Sequence, residues 1–174
     1  MIKILHSADW HLDAPMSGHN DAQRERLRRE SRRIPEKIVK LCKTERCDLL
    51  LLAGDIFDGP ATRDTVTAVR SALAGLDIPV VIAPGNHDFC RSDSPWVTEQ
   101  WPSNVHIFTK PTVEALPIPE LDCVIYGAGY TAMDCPGLLK GFCAQGDARW
   151  HIGLLHADPT SVASPYCPVT KNQV

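Results

Sequence analysis

Residues 80–90 read VVIAPGNHDFC, an apolar, β-branched run that breaks at Gly85 and continues at once into Asn86, His87 and Asp88. Three other runs finish alike. IKILHSAD ends in Asp9, with His11 two residues on; DLLLLAGD ends in Asp55, with Asp58 three residues on; HIGLLH ends in His156. Carboxylates, imidazoles and an amide oxygen are ligands for divalent cations and carriers of protons. Taken singly, each has an ordinary role. Asp9 or His11 can cap a turn, Gly54-Asp55 can close a strand, His156 can sit satisfied in a core, and Asp88 caps a following turn. Taken in series, each at the end of an apolar run, they describe one site.

Such a site needs cations. Two or more Asp, several His and an Asn gathered in a partly dry cleft would set lone pair against lone pair. Oxygen and imidazole ligands without thiolate suit Mn²⁺, Fe, Zn²⁺ or Mg²⁺, and the carboxylate and amide share favours Mn²⁺. A central carboxylate can bridge two ions roughly 3.5–4 Å apart, the arrangement used in phosphoester chemistry. Asp55 is the choice for that bridge, because it follows the most buried-looking strand and Gly54 lets the backbone approach.

The elements that must position these side chains alternate in the first half of the chain. Ile2–Ala8, Asp48–Ala53 and Pro79–Ala83 read as strands, and 21–45 and 61–75 as helices, the second starting near Pro60 or Thr62 and ending near Gly75. Pro35 should kink the first helix or begin a new one. Strand–helix–strand–helix–strand predicts right-handed crossovers and a mainly parallel sheet covered on both faces. Ligands then bind at the carboxyl ends of the strands. Eleven of the 14 prolines lie beyond residue 78, and the strands expected there are short: Val105–Phe108, Cys123–Tyr126 and Ile152–Leu155. Residues 134–147 read as helix or loop, and 157–174 show no element.

The 174 residues suit one domain, with no boundary or repeat, and the net charge of −3 gives no electrostatic footprint for nucleic acid. RERLRRESRR in the first helix reads as a solvated face, with Leu27, Ile34, Ile38 and Leu41 turned to the sheet. The seven cysteines form no CxxC pair, which predicts reduced, buried thiols in a cytoplasmic protein. Cys90, three residues past His87, is near enough to line the site and is given no chemical role. His6, His19, His106 and His151 read as structural or exposed. The longest apolar run, Leu49–Ala53, is too short for a bilayer, and no signal peptide is evident.

Asp9-x-His11, Gly54-Asp55-x-x-Asp58, Gly85-Asn86-His87-Asp88 and the later His156 resemble the calcineurin-like metallophosphoesterases. HSADWHLDAPM, LLLLAGDIFDG and SPYCPV further resemble the SbcD-type DNA-repair exonucleases, and among them the YhaO-like subgroup. The resemblance covers nearly the whole chain. It implies an α/β fold of the four-layer αββα sandwich type, incomplete at the C-terminus. It implies that Asp9 and His11 hold one ion, that Asp55 bridges, and that Asn86 and His156 hold the second. His87 would face the scissile phosphate, with Asp58 orienting it. A hydroxide between two divalent metal ions, Mn²⁺ foremost, would attack phosphorus in line. The implied substrate is DNA, and the implied partners are a coiled-coil ABC-type ATPase of the SbcC kind and a second copy of the chain. A small-substrate phosphoesterase (a cyclic-nucleotide phosphodiesterase or a phosphatase) and an inactive interaction module are the alternatives.

One departure stands out. The family closes its site with Gly-His-x-His, whose imidazoles complete both shells; here the only Gly-His is Gly18-His19, followed by Asn20-Asp21. The expectation is a single domain, 1–174, truncated before that segment, with weak metal binding and an open sheet edge.

Overall fold

The computed structural model describes residues 1–173. In chain order the elements are β1 (Ile4–Ser7), α1 (Asp21–Ser31), α2 (Ile34–Glu45), β2 (Leu49–Leu52), α3 (Arg63–Ala74), β3 (Val80–Ile82), α4 (Pro95–Thr98), β4 (Val105–Ile107), β5 (Glu114–Ile118), β6 (Cys123–Gly127) and β7 (Trp150–Leu154).

β1 to β4 form one parallel sheet in the order β1-β2-β3-β4. Because every step moves in the same direction, right-handed crossovers put all the intervening helices on one face. The opposite face is covered by a second sheet, β5-β6-β7, in which β5 and β6 are antiparallel and β6 and β7 parallel. The expected cover on both faces is therefore helical on one side and a sheet on the other. β2 is four leucines because both its faces are buried. Leu50, Leu52, Val80 and Ile82 point to the helices, where they meet Val66, Val69 and Leu73 of α3 and Cys42 of α2. Leu49, Leu51 and Val81 point to the second sheet and pack on Ile118, Cys123, Ile125 and Leu154.

Of the two outcomes expected at Pro35, the second is found: residues 21–45 form two helices, α1 and α2. Pro35 falls in the first turn of α2, where its missing N–H costs nothing. Leu27 and Leu41 do not face the sheet; both are exposed, and α1 buries no residue at all. Ile34 and Ile38 do turn inward as expected, and they join Pro35, Val39 and Cys42 in the inward stripe of α2, where 35, 38, 39 and 42 have the i, i+3, i+4, i+7 spacing of a helix face. α1 is held from its ends. Asn20 and Gln23 form a capping box at the start, and Arg32 just past the end reaches Asp13 at 3.2 Å. α3 starts at Thr62, whose hydroxyl accepts from Thr65 N, and ends at Gly75, as expected.

β5 had no sequence-based expectation: EALPI carries Glu and Pro, and it lies at the edge of its sheet, where Pro117 is tolerated. Residues 134–147 are loop. They cover the outer face of the second sheet, with Phe142 edge-on to Tyr126 (ring centroids 5.1 Å apart) and Gln145 O accepting from Tyr126 Oη at 2.6 Å. Among the described residues no helix lies on that face. The stretch after 157 is also more ordered than expected, with bridges pairing Cys135 to Tyr166 and Asp158 to Pro168, and a short 3-10 turn at Lys171–Gln173. Six cysteines are buried and Cys143 is exposed.

Candidate metal centre

The loops that leave β1, β2 and β3 run side by side. Asp9 N donates to Gly54 O at 3.0 Å, His11 N to Asp55 O at 2.9 Å, and Gly59 N to His87 O at 3.1 Å. Asp9, His11 and Asp55 all adopt left-handed backbone, with φ of 55°, 44° and 52°. Non-glycine residues rarely do so, and such geometry collects at functional sites. Gly54 and Gly85 supply clearance. A Cβ on Gly54 would lie 2.6 Å from the His156 ring, and one on Gly85 would lie 2.2 Å from Asp55 Oδ1.

All seven expected side chains meet over this platform. Asp55 Oδ2 is 3.7 Å from His11 Nε2 and 3.4 Å from His156 Nε2. Asp9 Oδ1 is 3.9 Å from His11 Nε2. Asn86 Oδ1 is 3.1 Å from His156 Nε2, while its Nδ2 points away to Met133 Sδ at 3.8 Å. Two compact ligand sets result, His11 with Asp55 and His87, and Asp9 with Asp55 and His156. Asp55 belongs to both, as a bridging ligand must. Asp9, a member of the second set, is also 3.9 Å from His11 Nε2 in the first, so its carboxylate is within reach of either ion. A cleft of about 510 Å³, lined by Asp9, Asn86, His87 and His156, opens over the cluster.

The charges fit cations. His156 Nδ1 donates to Ala53 O at 2.8 Å, which turns Nε2 toward Asp55 and Asn86. Burial disfavours the charged ring, but the hydrogen bonds to Asp55 and Ala53 and the charges of Asp55 and Asp9 push its pKa up to about 9. Burial likewise opposes ionisation of Asp55, yet the bonds from His156 and the His87 backbone hold its carboxyl below the usual range. A proton on Nε2 thus occupies the position from which a metal ion would draw the same three donors, Asp55, Asn86 and the imidazole itself. The donor set is hard oxygen plus imidazole, and no thiol joins it.

His87 and Asp58 stand at the rim of the cluster. Asp58 Oδ1 is 2.8 Å from His87 Nδ1 and 3.1 Å from His11 Nδ1. The two rings meet edge to face, with centroids 4.9 Å apart. The His87 side chain is 43% exposed, against 4% for Asp55.

Two further carboxylates hold the platform. Asp88 does not cap a following turn. It is buried and accepts from Gly85 N (2.8 Å), Asp55 N (3.2 Å), Ile56 N (2.8 Å) and Phe57 N (3.3 Å), fixing the loop that presents Asp55. Burial pushes its carboxyl up to about 6; the charge of Asp55 adds to this and the backbone N–H bonds oppose it. Asp13 accepts from Thr62 N at 2.8 Å and Thr65 Oγ1 at 2.9 Å, tying the β1 loop to the start of α3. Burial raises its pKa, and these bonds more than offset it. The signal for Asp88 was its place directly after a buried strand; Asp13 had none. Cys90 is buried beneath the site and does not line the cleft, and burial pushes its thiol up to about 12.

The model of the calcineurin-like phosphoesterase family matches residues 2–172. The uncharacterized metallophosphoesterase YhaO of Bacillus subtilis (strain 168) is 29% identical over 192 aligned positions, covering 99% of this chain and 45% of its own length. The chain therefore spans a little under half of that relative. A match that runs almost end to end, over a fold whose strand ends converge on a shared carboxylate, places the chain in a metal-dependent class: it belongs to the calcineurin-like phosphoesterase family.

Proposed function

We propose that this domain hydrolyses phosphodiesters and serves as the nuclease part of a DNA-processing protein. The observation that carries the hydrolytic reading is the position of Asp55 Oδ2 between His11 Nε2 at 3.7 Å and His156 Nε2 at 3.4 Å, beside an exposed imidazole held by Asp58. Asp9, His11 and Asp55 would hold one divalent ion, and Asp55, Asn86 and His156 the other. When bound, the ions activate water and neutralise charge gathering on the phosphate. The protein's own groups do the rest. Asp55, with two ligand sets on one carboxylate, fixes the spacing. Asp58 keeps the Nδ1 side of His87 occupied, so that Nε2 is the atom that meets the leaving oxygen and hands it a proton. The backbone N–H of His87 donates to Asp55 Oδ1 at 2.9 Å, so the acid and the bridge move as one unit.

The DNA assignment rests on the resemblance of HSADWHLDAPM, LLLLAGDIFDG and SPYCPV to SbcD-type nucleases. On the same footing, a coiled-coil ABC-type ATPase and a second copy of the chain are the proposed partners. The deciding experiment sets single-stranded and duplex DNA beside a chromogenic bis-ester, with Mn²⁺ and with EDTA. Mn²⁺-dependent cleavage of DNA supports the reading. Cleavage of the bis-ester alone points to a small-molecule phosphoesterase, and no turnover of either by the folded, metal-loaded protein overturns it.

A further inference from the structure

A second pocket, of about 180 Å³, lies beside the metal cleft, and His87 lines both. Its apolar lining includes Phe57, Pro60, Ala61, Phe89 and Pro95, and Arg91 and Asp93 lie beside them. The Arg91 guanidinium stacks over Phe89, 5.9 Å from the ring centroid, and its Nε is paired with Asp93 at 2.6 Å. Ser94 completes the lining. It is 5% exposed, and its Oγ finds no hydrogen-bond partner among the described residues. A buried hydroxyl without a partner is costly and calls for a ligand atom.

We infer that this pocket receives the nucleobase of the leaving nucleoside, packed against Pro60, Ala61 and Pro95 and hydrogen-bonded at its edge by Ser94. The inference rests on the phosphodiesterase reading above and adds the group it selects. A purely apolar ligand would leave the Ser94 hydroxyl unanswered. A second phosphate would find the one cation in the lining, Arg91, already paired with Asp93 at 2.6 Å. A planar heteroaromatic ring satisfies both demands, with faces for the apolar walls and ring nitrogens or exocyclic groups for the hydroxyl. Since His87 stands between cleft and pocket, the nucleoside whose oxygen it protonates is the one placed to enter. Ser94 and Ala61 are thereby specificity-determining residues, not catalytic ones.

Deoxyadenosine is the probe, added to the full chain without metal and followed by amide NMR, with deoxyribose as the control lacking a base. Deoxyadenosine should shift Ala61, Phe89 and Ser94, and deoxyribose should not. Ser94→Ala should weaken binding about fivefold, the size of one hydrogen bond. A61F, which fills the space, should abolish it. With Mn²⁺, for a dinucleotide bearing a base on the leaving sugar, Ser94→Ala should raise KM about fivefold, the size of one hydrogen bond, and A61F at least about tenfold, the size of one base-stacking contact. KM for the abasic analogue should stay unchanged. Unshifted signals, or equal effects on both diesters, overturn the pocket. Nucleoside binding without any Mn²⁺-dependent diester cleavage leaves the pocket standing and removes the hydrolase reading. Cleavage that ignores both variants removes the pocket alone.

Discussion

The Asp58 carboxylate lies 2.8 Å from Nδ1 of His87 while also reaching His11 at 3.1 Å, so one acid group orients both a proposed ligand and the proposed acid. The two functions separate on substitution. His87→Ala should lower kcat by about 10²–10⁴ and leave metal affinity intact. Asp58→Asn should lower kcat and loosen one ion about tenfold, since it disturbs both rings. Steady-state kinetics beside calorimetric metal titration checks the pair. Loss of metal in His87→Ala would make that residue a ligand instead.

Asp55→Ala removes the carboxylate common to both ligand sets. Binding of both ions should be lost together, whereas Asn86→Ala should cost only one. A titration of Asn86→Ala that still shows two sites would deny the amide its role.

The His156 pKa near 9 sets a pH dependence. Folding raises it above the unfolded value of about 6.5, so its contribution to stability is full below that pH and is lost as pH climbs through about 9. The metal-free protein should therefore melt at lower temperature at pH 9.5 than at pH 7, and His156→Gln should flatten that slope. Metal must displace the same proton. Affinity should rise from pH 7 to 9, with proton release visible as a buffer-dependent heat in calorimetry.

Gly85→Ala places a methyl 2.2 Å from Asp55 Oδ1 and 2.9 Å from His156 Cδ2. Metal affinity should fall at least tenfold, roughly the cost of disturbing a ligand's support. Gly153→Ala, in β7, meets nothing within 4 Å and serves as the neutral control.

Asp88→Ala strips the acceptor from four backbone N–H groups. Buried donors left unpaired cost about 3 kcal/mol in total stability, read by urea unfolding, and metal binding should weaken in parallel. An unchanged midpoint would mean that solvent replaces the carboxylate.

Much of the centre was legible because polar side chains that end apolar runs are conspicuous. Asp9, Asp55, Asn86 and His156 announce themselves against IKILHSA, DLLLL, VVIAP and HIGLL, and all of them converge. The supports were not legible. Asp88 sits among the same letters as His87, but only the fold shows that it reaches back to the β2 loop. Asp13 works through Thr62 and Thr65, about fifty residues away in sequence, and no local pattern marks it. The helix stripe failed for Leu27 because α1 packs too little surface to need an apolar face, and for Leu41 because it lies at the outer edge of an α2 stripe centred on Pro35, Ile38 and Cys42. β5 escaped because an edge strand tolerates the Pro and Glu that argue against one.

The left-handed residues at Asp9, His11 and Asp55 also bear on the order of assembly. Each left-handed conformation costs on the order of 1 kcal/mol, and the cross-links between the β1 and β2 loops, with the carboxylates of Asp88 and Asp13, hold it. An unfolded chain has no such cradle to offer. Ions thus arrive at a finished receptacle rather than seeding it, and metal uptake is a gauge of completed folding.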